Sequence, residues 1–192
     1  MSAQTTALPS TSAAIVPAGT WNIDPSHSTI GFSVKHMMIA TVRGRFTRFA
    51  GSLSADDQGV AGIQGVVQAA SIDTNEGQRD DHLRSPDFFD AANHPEIRFV
   101  STGIEPTDSS EYRVTGSLTI KEITREVTLD AVVNGAGTDP WGNERVALEA
   151  RGTISRKDFE LNWNQVLEAG GVLVGDKIRL NLDLSTVKAP QQ

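Results

Sequence analysis

Four histidines, His27, His36, His82 and His94, are the side chains best suited to moving protons or holding a metal near neutral pH. No two of them stand at i, i+2 on a strand or i, i+4 on a helix, the spacings that aim two imidazoles at one ion. Asp80-Asp81-His82 resembles an acid–base cluster, but an exposed helix face with one structural hydrogen bond accounts for it more plainly. Cysteine is absent, which excludes disulfides, thiolate nucleophiles and cysteine-based metal sites. A glycine-rich phosphate loop, a serine elbow and a His-Glu-x-x-His pair are absent too. Arg43, Arg45 and Arg48, with Lys35 and His36 upstream, make a basic cluster. Guanidinium groups fork well onto phosphates, so a headgroup rim is one reading; a charged outer wall is the plainer one. The residue types predict a protein with no catalytic constellation, no metal and no cofactor.

The elements that must position these groups are strands. Ile178, Leu180, Leu182 and Leu184 alternate with Arg179, Asn181, Asp183 and Ser185, and Tyr112, Val114, Leu118 and Ile120 alternate with polar neighbours. Successive strand side chains face opposite ways, so such segments bury one face and wet the other. A short strand over Thr20–Asp24 is followed by long ones from Thr29, over Val42–Ser54, Ile63–Ile72, Ile97–Ile104, Glu111–Lys121, Arg125–Val133, Arg145–Ser155 and Val172–Val187. Phe46 and Phe49 are three apart, and a β-bulge between them would turn both inward. The predicted fold is all-β: an eight-stranded antiparallel barrel, closed around its own apolar face. Asp73–Pro95 is the one long interruption, with a short helix over Glu76–Arg84 and Thr74 as its N-cap. Phe88 and Phe89 in that insertion need burial, as a lid or as a permanent cover at one barrel end.

A chain of 192 residues suits one domain, taken as 19–188 after a flexible segment over 1–18 that lacks any charged side chain. The formal net charge of -7 argues against nucleic acid and against unaided docking on an anionic membrane. No apolar run approaches the roughly 20 residues of a membrane-spanning helix, so no integral membrane segment is expected. The first residues lack the basic and apolar regions of a secretory signal, which predicts a cytoplasmic protein.

The apolar phase of each strand selects an inward set: Phe32, Val34, Phe46, Phe49, Val67, Phe99, Leu118, Ile120, Leu129, Leu148 and Leu180, with His36 on the same face and Phe88 and Phe89 near one end. Small residues fall in the same phase, namely Gly65, Ala69, Ser101, Gly116, Ala131, Ala150 and Gly152. They leave a bore down the barrel, or they accommodate strand curvature and bulky neighbours; both readings stay open. A ten-residue strand is about 33 Å long, which sets the length of such a bore.

Trp21-Asn-Ile-Asp24-Pro-Ser-His27-Ser-Thr-Ile30-Gly-Phe32-Ser-Val34-Lys-His36 resembles the opening motif of the YceI-like family. The likeness extends over about Gly19 to Val187, through Arg79-Asp-Asp-His82-Leu-Arg-Ser85-Pro-Asp87-Phe88-Phe89-Asp90, His94-Pro95-Glu-Ile97-Arg-Phe99 and Gly116-Ser-Leu118-Thr-Ile120. Arg156-Lys-Asp158-Phe159 and Gly175-Asp176-Lys-Ile178 complete it. The resemblance implies an extended, lipocalin-like barrel that binds a polyisoprenoid lipid, such as an isoprenoid quinone or a prenyl pyrophosphate, in its bore. In a bore of about 33 Å such a ligand would be a chain of about six to eight isoprene units. The resemblance also implies a frequent homodimer and no established catalysis. Two departures stand out: many relatives carry a periplasmic signal that this chain lacks, and the hairpin Lys121-Glu122-Ile123-Thr124 has Glu where relatives place Gly.

Three functions of different classes follow. The first is a carrier or store for a long polyisoprenoid, or for another long amphiphile such as a fatty acid or fatty amide. The second is a lipid-modifying enzyme at the barrel mouth, with His36 or His82 as base. The third is a solidly packed structural barrel. The missing catalytic groups weigh against the second, and the small inward residues against the third.

Overall fold

The computed structural model describes residues 16–168 and 170–190. The alternating segments form strands β1 (Gly19–Ile23), β2 (Thr29–His36), β3 (Ala40–Phe46), β4 (Phe49–Asp56), β5 (Gly59–Gln68), β6 (Ile72–Asp73), β7 (Glu96–Pro106), β8 (Glu111–Ile120), β9 (Ile123–Thr138), β10 (Glu144–Ser155) and β11 (Val174–Lys188). One helix of the described residues, α1 (Gly77–Arg84), lies between β6 and β7. Every ladder is antiparallel, and β1 pairs with both β4 and the end of β11, which closes the sheet into an eight-stranded barrel. Among the described residues no helix is long and apolar enough to cross a membrane.

Eleven strands make eight staves because three staves are broken. β1 and β2 lie end to end along β11 and are split by a 3-10 turn over Pro25–His27. β3 and β4 are likewise two halves, paired to β2 and β1. β5 and β6 are two halves paired to β4 and β3, split by a 3-10 turn over Ala69–Ser71. The expected bulge between Phe46 and Phe49 is therefore a break instead. Ser71 stabilises it: Thr47 N donates to Ser71 O at 3.1 Å and Arg48 N to Ser71 Oγ at 3.0 Å. The ladder bonds lost at one corner are thus replaced from the neighbouring one, as buried backbone groups require.

The lower barrel end is packed shut. Val16 and Trp21 are fully buried with Leu53, Val146 and Leu148, and Trp21 Nε1 donates to Pro17 O at 3.0 Å. Residues 1–15 of the expected flexible segment lie outside the described residues, whereas Val16 is part of this core. On the rim, Arg145 donates to Asp24 and Asp139 at 2.8 Å each, and its guanidinium holds both carboxyls below the usual carboxylate range.

The upper end differs from expectation in its details. Glu76, not Thr74, caps α1, its carboxylate accepting from Gln78 N and Arg79 N. Thr74 is buried and donates its backbone N–H, at 2.9 Å, and its hydroxyl to Asp80 Oδ1, so Asp80 is an interior anchor and not part of an exposed face. Asp81 is exposed and pairs with Arg84. In the β8–β9 hairpin, Lys121 and Glu122 both take positive φ, 51° and 67°, the geometry of a type I′ turn that ordinarily selects Asn and Gly.

Candidate functional site

The barrel encloses a cavity of about 530 Å³. Its wall is the apolar phase of the strands. Phe32, Val34, Phe46, Val67, Phe99, Leu118, Ile120, Leu129, Leu148 and Leu180 all border it, joined by His36, Phe88 and Phe89 at the upper end. Phe49 does not. It is half-buried and keeps the expected inward phase, opposite Val67, but it stands at the corner that opens β4 and is not part of the cavity wall.

The small inward residues divide into two sets. A Cβ on Gly116 would sit 2.4 Å from Phe99 Cζ, one on Gly44 2.4 Å from Phe32 Cζ, and one on Gly152 2.5 Å from Leu129 Cδ2. These glycines let large neighbours lie flat along the wall, so their space is already filled. Gly65, Ala131 and Ala150 instead border the cavity directly, whereas Ala69, buried in the 3-10 turn, and Ser101, whose Oγ accepts from Ile63 N at 2.9 Å, belong to neither set. Both readings of the small residues therefore hold, each at its own positions. Phe32 and Phe99, the rings that lie over Gly44 and Gly116, both border the bore.

Depth follows from β11, where Val174 and Leu184, ten residues apart, both border the cavity. That stretch is about 33 Å along the strand, and a strand tilt of roughly 35–45° reduces it to about 25 Å along the barrel axis. The floor is the closed lower core. Above, Ala91, Phe159 and Leu161 pack over the tops of β7 to β10. On the remaining side the lining residues Lys35 and Gln78 are exposed and Arg79, His82, Trp163 and Leu173 half-buried, which places the opening there.

The mouth is the polar part of the site. Arg79 Nε donates to Thr74 Oγ1 at 2.7 Å and its Nη2 to Thr74 O at 2.9 Å. His82 Nε2 is 2.8 Å from Asp87 Oδ2, and its ring meets Trp163 and Phe88 edge-on with centroids 4.6 and 5.1 Å away. Phe89 stands edge-on to Phe46 at 5.9 Å, so the two adjacent phenylalanines cover the upper end from within. Arg156 is 2 % exposed and ties the segment 161–174 to the barrel, donating to Leu161 O, to Trp163 O at 2.8 Å and to Gly175 O at 3.0 Å. Burial lowers its pKa from the usual arginine value, and Asp176 opposes that.

The other polar candidates are placed elsewhere. His27 is exposed and pairs with Asp24, and His94 lies 3.8 Å from Asp90. Arg43, Arg45 and Arg48 are all exposed on the outer wall, with Arg45 on Asp73, so the headgroup-rim reading fails for them. Sequence reasoning missed Gln78, Arg79 and Leu173 as site residues, which sit on a polar helix and an irregular loop where no periodicity marks a face, and it read Trp163, with Phe159 and Leu161, only as part of a non-strand patch that could close either barrel end. The one available signal was Trp163 itself, a large aromatic isolated between asparagines. Among the described residues no group of three or more His, Asp or Glu side chains is placed to hold a metal.

A closed antiparallel barrel around one deep apolar bore, capped by a helix and a tethered loop, defines a lipocalin-like cavity protein. The YceI-like domain family matches residues 21–186, and the chain belongs to that family. It is 40% identical over 140 residues to a UPF0312 protein of Photorhabdus laumondii, covering 72% of each. It is 36% identical over 154 residues to protein YceI of Escherichia coli O157:H7, covering 78% of this chain and 80% of that one. The crystal structure of Burkholderia cenocepacia BcnA superposes with TM-score 0.74 at 25% identity, over 85% of this chain and 98% of that one. A polyisoprenoid binding domain from Saccharophagus degradans shares the fold, with TM-score 0.68 at 14% identity, over 88% and 98%.

Proposed function

We propose that this protein binds one long-chain amphiphile of the polyisoprenoid class in the barrel, tail toward the closed floor and headgroup at Gln78, Arg79 and His82, as a carrier or store. The observation that carries this reading is the shape and chemistry of the bore: about 25 Å deep, lined mostly by apolar side chains, closed below and with most of its polar side chains gathered toward the upper end. The name of the Saccharophagus degradans domain agrees with the ligand class, although that likeness extends to fold alone. An extended isoprene unit, four C–C bonds of about 1.5 Å each in zigzag, advances about 5 Å, so the bore accommodates about five units. This is fewer than the untilted strand length suggested. Each unit contributes about 4 kcal/mol of apolar burial at roughly 0.8 kcal/mol per carbon, before ordering costs.

Titration with prenols of increasing length, followed by tryptophan fluorescence in a Trp141→Phe background and compared with a Trp141→Phe, Trp163→Phe control that reports buried Trp21 alone, tests this. Affinity is expected to rise with each unit up to about five and then level off. Affinity independent of length, or equal for a fatty acid of matched carbon count, would remove the polyisoprenoid assignment.

A further inference from the structure

The large apolar residues left exposed are not scattered evenly. Met37, Met38 and Ile39, at 42, 62 and 79 % exposure, form the β2–β3 hairpin tip, and Val166, at 80 %, stands on the loop beside it. Met37 N donates to Leu173 O at 2.8 Å and Val166 bridges Val172, so tip and loop form one continuous surface. That surface adjoins the cavity opening, where Leu173 and Trp163 border the bore. The other exposed large apolar side chains among the described residues, Val100, Val132 and Trp141, lie on the outer wall and at the opposite end.

Two further features single out this tip. Met37 and Met38 hold φ of 52° and 60°, left-handed conformations that ordinarily select Gly or Asn. The Lys121–Glu122 turn holds the same conformation with two charged side chains, whereas here it turns two apolar side chains toward solvent, where they contribute nothing to the barrel core. In addition, residues 36–41 and 161–167 contain no Asp, Glu, Lys or Arg, in a chain of net charge -7. Lys35 and Glu168 flank these stretches and Arg79 borders the mouth, but the tip itself offers a partner only apolar and neutral contacts. A zwitterionic lipid surface would accept flexible methionines and a nearby Trp at its headgroup boundary.

We propose that this end of the barrel docks on a net-neutral phospholipid bilayer through Met37, Met38, Ile39 and Val166, placing the bore mouth against the membrane so that a lipid enters without crossing water. The proposal rests on the cavity reading above, since docking serves an occupant that resides in a bilayer.

The test compares the full chain with a Met37→Asn, Met38→Gly, Ile39→Ser variant, whose new residues suit the left-handed turn. Flotation with phosphatidylcholine vesicles and the rate of dansyl-labelled geranylgeraniol transfer from those vesicles are read beside capture of the same probe from octyl glucoside. The wild type is expected to float, and the variant to lose about tenfold or more in bound fraction and transfer rate, with capture from detergent unchanged. Absence of wild-type flotation, or equal flotation and transfer by both proteins, overturns the docking. Equal loss from detergent also overturns it, because the tip would then belong to the cavity. A wild-type dimer that becomes monomeric in the variant, without vesicle binding, assigns the tip to a second copy and overturns it as well. Flotation by a wild type that captures no probe from detergent upholds the docking and removes the cavity reading.

Discussion

Ala131 and Ala150 face each other across β9 and β10, both border the bore, and Leu182 of β11 shares their row. Leu184, near the floor, is two residues further along, about 7 Å of strand and about 5 Å of the tilted axis. Ala131→Phe therefore walls off roughly the last isoprene unit. One unit contributes about 4 kcal/mol of gross burial, and ordering it takes back about 1–2 kcal/mol. The net loss of about 2–3 kcal/mol corresponds to about 30- to 150-fold in Kd. A five-unit chain should lose that much, a three-unit chain almost nothing, and the plateau in the length series should move down by one unit. The ligand-free variant should keep its urea midpoint within about 1 kcal/mol of wild type, because the ring enters open space and not a packed core. A variant that is strongly destabilised and equally weakened at every chain length would show that the region around Ala131 is solid, and would refute the reasoning.

Gly116→Ala should act differently, since its Cβ would lie 2.4 Å from Phe99 Cζ and 2.8 Å from the carbonyl oxygen of Val100. Urea unfolding should show a loss of about 1–3 kcal/mol, and the displaced ring should weaken all but the shortest chains. Glu122→Gly should relieve a left-handed non-glycine residue and stabilise the barrel by about 1 kcal/mol, raising Tm by about 2–4 °C in a calorimetric scan; no change would mean the turn is not strained. Asp24 and Asp139 have folded pKa values below their unfolded ones, through Arg145. The folded state thus binds fewer protons in acid, so their contribution is present above about pH 4 and is lost as pH falls further. Arg145→Met should show a smaller Tm difference between about pH 3 and pH 5 than wild type; an unchanged difference would place the acid sensitivity elsewhere.

What was legible in the sequence was the phase of each strand. Leu118, Ile120, Leu129 and Leu180 reach the bore because period two leaves an antiparallel strand no other way to bury them. What was not legible depends on neighbours distant in sequence. The corner at Thr47 and Arg48 needs Ser71, more than twenty residues on, to accept their hydrogen bonds. Gly116 and Ala131 share a phase, yet one is covered by Phe99 and the other is open. Thr74 is a plausible N-cap by type, but Asp80 draws it inward and leaves the cap to Glu76. The mouth was least legible, because Gln78, Arg79 and Trp163 converge only once Arg156 has fastened the loop 161–174 over the barrel.

The most direct test of the central claim is native mass spectrometry of the protein purified without detergent, then incubated with a five-unit prenol. One prenol or one co-purified amphiphile of similar length per chain is expected, retained under gentle activation and, with Ala131→Phe, replaced by a shorter species. A protein that stays at its bare mass under both conditions, with Ala131→Phe indistinguishable from wild type, would contradict the claim that the bore holds a lipid.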